Sequence, residues 1–206
     1  MAKSVDYFLF YSFFRKIFNF ACLSLGLILL AIPANAHHPW DGLDPDSFTP
    51  LQGLLSGLAH PVFGFDHFLF LFSIGLFGTM FRLRWILPLI SCGFAGSLLA
   101  QLTPSINGSE LFIGISLIVS AFVSLGYLNP LWIFPFITLH GFVLGEGIIG
   151  AEPTPIIAYI FGLVIIQSLI LLLGLFSLRR ISKYKQILSF GLIGIGLIAT
   201  LGVVVN

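Results

Sequence analysis

From residue 61 onward the chain alternates between long apolar stretches, at 61–80, 85–102, 110–128, 131–149, 155–178 and 186–204, and short polar breaks. A bilayer core about 30 Å thick is crossed by about 20 residues rising 1.5 Å each, so every stretch predicts one membrane-spanning helix. The breaks carry loop chemistry: Arg82 and Arg84, then Thr103-Pro104 with Asn107-Gly108, Asn129-Pro130, Glu152-Pro153-Thr154-Pro155, and Arg179 to Lys185. This pattern predicts an all-α membrane protein, a polytopic bundle of about six transmembrane helices.

The first residues follow a different logic. Lys3, Arg15 and Lys16 precede the apolar run Ile17 to Ile32, which closes on Ala34-Asn35-Ala36, a small-x-small site. That order reads as a secretory signal peptide cut after Ala36, the alternative being an uncleaved first helix. The expected organisation is a signal peptide over 1–36, an extracytoplasmic segment and lead-in over 37–60, and a transmembrane domain over 61–206. All six Lys and Arg beyond Ala36 fall in the 81–84 and 179–185 loops, whereas Asp41, Asp44, Asp46, Glu110 and Glu152 fall at the opposite ends of the spans. Basic loops stay cytoplasmic, so the mature N-terminus is expected outside a bacterial inner membrane, in a multi-pass topology.

Composition sharpens this picture. Hydrophobic residues make up 58% of the chain and charged ones 8%, against about 25% charged in soluble domains. A formal charge of +1 leaves no basic field for nucleic acid. With Cys22 inside the expected signal peptide, only Cys92 remains, so any metal chemistry must come from imidazole and carboxylate.

Ionisable residues inside spans are therefore the informative ones, because a charge near the bilayer centre costs at least about 2.5 kcal/mol. Asp66 and His67 lie in the first span with His60 at its outer end, and His140 and Glu146 lie in the fourth. Pro61 biases His60 away from helical angles, so the helix is expected to start at Pro61 after a non-helical lead-in. On one unbroken helix His60 and His67 would stand about 10.5 Å apart, too far to share an ion. Depth arithmetic predicts two layers, His60 with Glu146 near the outer surface and Asp66, His67 and His140 below them. Taken singly, each has a structural alternative: a carbonyl-bonded His140, an Asp66–His67 pair locking helices, a solvated Glu146. Clustering favours a site. Ser73 and Gln101 are expected as helix-packing polar groups, and the phenylalanines from Phe63 to Phe72 as lipid or packing contacts.

Neutral imidazole with carboxylate suits Ni, Co, Zn and Cu, and a carboxylate can also orient a ring through its second nitrogen. His37 and His38, with Asp41, Asp44 and Asp46 nearby, could capture divalent ions outside. The spacing from His60 to Asp66 recurs from His140 to Glu146 on oppositely directed spans, a hint of an inverted repeat. The metal sites expected are His60, Asp66, His67, His140 and Glu146, with His37 and His38 as secondary candidates. Two other readings compete: an intramembrane zinc hydrolase, in which three His bind the metal and Asp66 serves as base, and a non-catalytic assembly protein whose polar pairs lock helices.

The His60-Pro61, Gly64 and Asp66-His67 arrangement resembles the first motif of the HupE/UreJ family of hydrogenase and urease accessory membrane proteins. His140, Gly141 and Gly145 resemble its second motif, with Leu144 where that motif has a second His and the acid at Glu146. The resemblance implies a permease and no enzyme, with no resident cofactor. Its cargo is nickel, or cobalt in a divergent branch, supplied to metalloenzyme maturation. The expected partners are the divalent ion, the lipid bilayer, and either a second copy of the chain or maturation proteins.

Overall fold

The computed structural model describes residues 48–76, 83–106 and 108–205, and every regular element among them is helical. The α-helices are α1 (Pro50–Phe63), α2 (Phe65–Leu76), α3 (Ile86–Leu102), α4 (Leu111–Leu125), α5 (Ile133–Glu146), α6 (Pro153–Ile181) and α7 (Lys185–Val205). The signal peptide expected over 1–36, together with His37 and His38, lies outside the described residues.

Helix ends follow local chemistry. Thr49 caps α1 in a capping box with Gln52, and Pro50 occupies the first turn, where a missing N–H costs nothing. Gly126 ends α4 in the left-handed region at φ 85°, its N–H reaching the Phe122 and Val123 carbonyls. Asn129 accepts from the Leu131 N–H at 2.9 Å and sets the turn into α5.

The first expected span is built differently from its sequence reading. Helix α1 does not begin at Pro61. It starts at Pro50, carries Pro61 internally, and stops at Gly64, where the chain bends by 76° into α2. His60 is thus a helical residue, and the break comes four residues after it. Pro61 removes one helical donor and weakens the last turn of α1. The break keeps its backbone bonded all the same: Gly64 N–H donates to the His60 carbonyl at 2.8 Å, and Phe68 N–H donates to the Gly64 carbonyl at 2.9 Å.

Three helical segments are long and apolar enough to cross a membrane, Leu83–Leu102, Pro153–Ser177 and Lys185–Val204, and the bent α1–α2 pair makes a fourth if it counts as one span. Leu111–Leu125 and Pro130–Glu146 are apolar but shorter. At 1.5 Å per residue they reach only about 22 to 26 Å. The six expected spans are thus six helical units, three or four of them with the dimensions of a crossing. Leu87, Phe161, Phe176 and Val204 are more than three-fifths exposed, as side chains in acyl chains would be.

The helices pair closely: α1 and α2 both lie on α6, α3 lies on α5, and α4 lies on α7. Small residues allow it. A Cβ on Gly96 would strike the Thr138 carbonyl and the Phe142 amide of α5, and Gly114 and Gly196 approach each other across α4 and α7. Hydroxyls also bridge helices, Ser73 of α2 to Ser120 of α4 at 2.7 Å and Ser124 of α4 to Ser189 of α7 at 2.8 Å. Gln101 donates to the Gly145 carbonyl at 2.6 Å, the packing role expected of it.

Backbone-to-backbone contact at Gly96 leaves no side chain to give way. Gly96→Ala is therefore expected to destabilise the detergent-solubilised protein by about 1–3 kcal/mol, seen as a lower melting temperature. Gly194, with nothing within 4 Å of an added Cβ, is the control. Gly194→Ala should melt at or above wild type, since alanine favours a helix by about 0.5–1 kcal/mol.

Candidate metal centre

Three imidazoles meet where the α1–α2 break faces α5. The bend at Gly64 folds the end of α1 back toward the start of α2, bringing the His60 and His67 rings to 5.1 Å between centroids, edge to face. This is half the separation they would have on a continuous helix of about 10.5 Å over seven residues. Gly64 is needed for close approach and not for an unusual φ, which is −73°. The Cδ2 edge of His67 lies so close that any Cβ at residue 64 would collide with it.

On its other side His67 meets α5. Its Nδ1 lies 2.8 Å from His140 Nε2, with the ring planes at 85°. Both side chains are buried. Phe70, one turn below His67 on α2, stacks on the His140 ring at 4.4 Å. Two hydroxyl groups complete the cluster. Ser116 of α4 approaches His140 Nδ1 at 3.3 Å, and Tyr159 of α6 approaches His60 Nδ1 at 3.0 Å while donating to the Leu144 carbonyl at 2.6 Å. Helices α1, α2, α4, α5 and α6 all contribute a side chain to the cluster.

The carboxylates take separate places. Asp66, half-buried in the first turn of α2, accepts from the His67 backbone N–H at 2.8 Å and stands beside the imidazoles. Glu146 does not join His60 in an outer layer. It reaches across to the 103–110 connection, where it accepts from the Ile106 N–H at 2.7 Å. The two-layer arrangement of the sequence reading is therefore replaced by one line of imidazoles, His60, His67 and His140, with Glu146 apart. Leu144, at the position of the missing second His, is fully buried in a cluster with Tyr159, Ile160 and Leu163.

Phe70, Ser116 and Tyr159 were not singled out from sequence. Phe70 is one of five phenylalanines within ten residues, and nothing in its spacing sets it apart. Tyr159 did carry a signal, since it is the only tyrosine well inside an expected span. Ser116 begins a stripe of three serines, four residues apart, with Ser120 and Ser124 on the buried face of α4.

The donor set is nitrogen and oxygen. Cys92 is a half-buried thiol on α3 and not part of the cluster. Among the described residues no three His, Cys, Asp or Glu side chains are grouped so as to hold a metal ion, so the convergent three-donor cage that a zinc hydrolase needs is not found there. Imidazoles in a partly buried line, with one carboxylate beside them, can instead bind a divalent ion through few donors and release it.

The sequence model of the HupE / UreJ protein family matches residues 25–205. No curated protein and no solved structure matches the chain. The match spans the broken first helix, both histidine-bearing segments and every helix after them, and the chain belongs to the HupE/UreJ family.

Proposed function

We propose that the protein is a permease of the bacterial inner membrane for a divalent transition-metal ion, nickel or alternatively cobalt, destined for metalloenzyme maturation. The reading rests on one observation above the rest: His67 and His140, from separate helices, meet at 2.8 Å in the buried interior of an otherwise apolar bundle. Burying imidazoles there is costly unless each is bonded, and a bundle held together only by packing has no need of three adjoining rings. In this proposal His60, Asp66, His67 and His140 form the ion site, Asp66 supplies its negative charge, and Glu146 with His37 and His38 gathers cations at the outer mouth. Six crossings, a cleaved signal peptide and an external N-terminus complete the topology, with α4 and α5 as short spans and α1–α2 as a broken one. Broken spans of this kind place irregular backbone where it lines a substrate path.

Removing an ion-binding imidazole should abolish transport without unfolding the protein. Cells carrying His67→Ala or His140→Ala, with membrane levels matched to wild type, should accumulate nickel about tenfold less or lower still. Accumulation equal to wild type would remove these residues from the site. A fall in membrane level alone, with uptake per molecule unchanged, would mark them as helix-locking groups of an assembly protein.

Asp66→Asn separates charge from structure, because the amide oxygen can still accept from the His67 N–H. It is expected to lower uptake by about tenfold, as loss of a partner to a ligating group does. Glu146→Gln keeps an acceptor for Ile106 and should raise the half-saturating nickel concentration more than it lowers the maximal rate.

A further inference from the structure

The hydrogen bonds that Tyr159 and Ser116 donate to main-chain carbonyls set the direction of the bonds these hydroxyls make with the imidazoles. The Tyr159 hydroxyl has a single proton, and it goes to the Leu144 carbonyl at 2.6 Å, which can only accept. His60 Nδ1, 3.0 Å from the same oxygen, must therefore donate, so His60 carries its proton on Nδ1. Ser116 likewise donates to the Ile113 carbonyl at 2.7 Å, and His140 Nδ1 at 3.3 Å donates to Ser116. That leaves His140 Nε2 with the lone pair. His67 Nδ1, 2.8 Å away, is then the donor in the contact between the two rings. Both chains terminate on main-chain carbonyls inside the bundle, which have no second protonation state.

We infer that Tyr159 and Ser116 are positioning residues that hold the protons of His60, His140 and His67 on Nδ1. The basic lone pair of His60 and of His67 then lies on Nε2, the nitrogen that a divalent cation would bind, and His140 acts through His67. The inference rests on the permease reading for its function, and on the hydrogen bonds alone for the proton positions. Neutral imidazole binds a metal through one nitrogen, and a partner on the other nitrogen both selects the tautomer and fixes the ring plane. The arrangement supplies that partner twice, from helices that carry none of the expected ligands. Tyr159 belongs to α6 and Ser116 to α4. It also explains why the Leu144 position tolerates an aliphatic side chain: its contribution to the cluster is the carbonyl that orients Tyr159.

The test is the tautomer itself. In the full chain labelled with 15N-histidine, in detergent and at a pH where the imidazoles are neutral, two-bond proton–nitrogen correlation spectra should show His60, His67 and His140 protonated on Nδ1. Signals are assigned with single His→Gln variants. Tyr159→Phe should turn His60 to the Nε2-protonated form or to a mixture and lower nickel uptake by about tenfold, while melting temperature and the His140 signal stay near wild type. Ser116→Ala should do the same to His140 and His67 and spare His60. Nε2 protonation of His60 in the wild type, or an unchanged His60 tautomer in Tyr159→Phe, would overturn the assignment. The expected tautomers in a wild-type chain that moves no nickel in the uptake assay would uphold the proton positions and reject the permease reading.

Discussion

A helix that ends inside an apolar bundle must find partners for its backbone polar groups, and the α1–α2 break keeps them for Gly64 within four residues on either side. The Gly64 N–H and C=O each keep a partner, on His60 and Phe68, while the axis turns by 76°. Everything in the histidine cluster depends on this. The turn places His60 against His67, and the absence of a side chain at Gly64 gives the His67 ring room beside the main chain. From there the ring spans the gap to His140. A straight helix would leave His60 about two turns away from His67.

The same economy of side chains organises the bundle. Close pairs form where glycine faces backbone, and each tight pair buries a seam with almost nothing in it to move. The pairs have a further regularity. Exchanging the first three helical units (α1–α2, α3, α4) for the last three (α5, α6, α7) turns the contact of α1–α2 with α6 into that of α5 with α3, and leaves α4 with α7 unchanged. This is the contact pattern of two three-helix halves, and it agrees with the recurring spacing from His60 to Asp66 and from His140 to Glu146. Under the permease reading, the substrate path would run along the seam between these halves. His67 and His140, one from each half, lie on that seam.

Much of the fold was legible because hydropathy reports helix ends well when loops contain Pro, Asn and Gly. The helix expected over 85–102 is Ile86–Leu102, and that expected over 186–204 is Lys185–Val205. The site was legible in its residue types, since ionisable side chains are rare in such a chain and stand out. The failures share a physical cause. Pro61 reads as a helix start because proline is unfavourable inside helices, yet it lies near the end of α1, where the lost hydrogen bond merely weakens a turn about to terminate. Glu146 was placed by depth alone, and depth says nothing about rotation: its side chain leaves the cluster for the Ile106 amide. Phe70, Ser116 and Tyr159 act through orientation across helices, which periodicity in one segment does not encode.

The departure at Leu144 shows how a site can change a ligand for a support. An imidazole there would add a donor on α5, one turn beyond His140. Leucine instead packs against Tyr159, and its main-chain carbonyl accepts a hydrogen bond from the phenol. Under the permease reading, such a substitution trades affinity for release. Fewer donors hold the ion more weakly, but those that remain keep their ring planes and proton positions because neighbouring helices fix them. A transported ion must leave, so fixed orientation with modest donor number suits the task better than a closed cage. The line from His60 through His67 to His140 then connects the two halves of the bundle through rings whose Nδ1 atoms are bonded before any ion arrives.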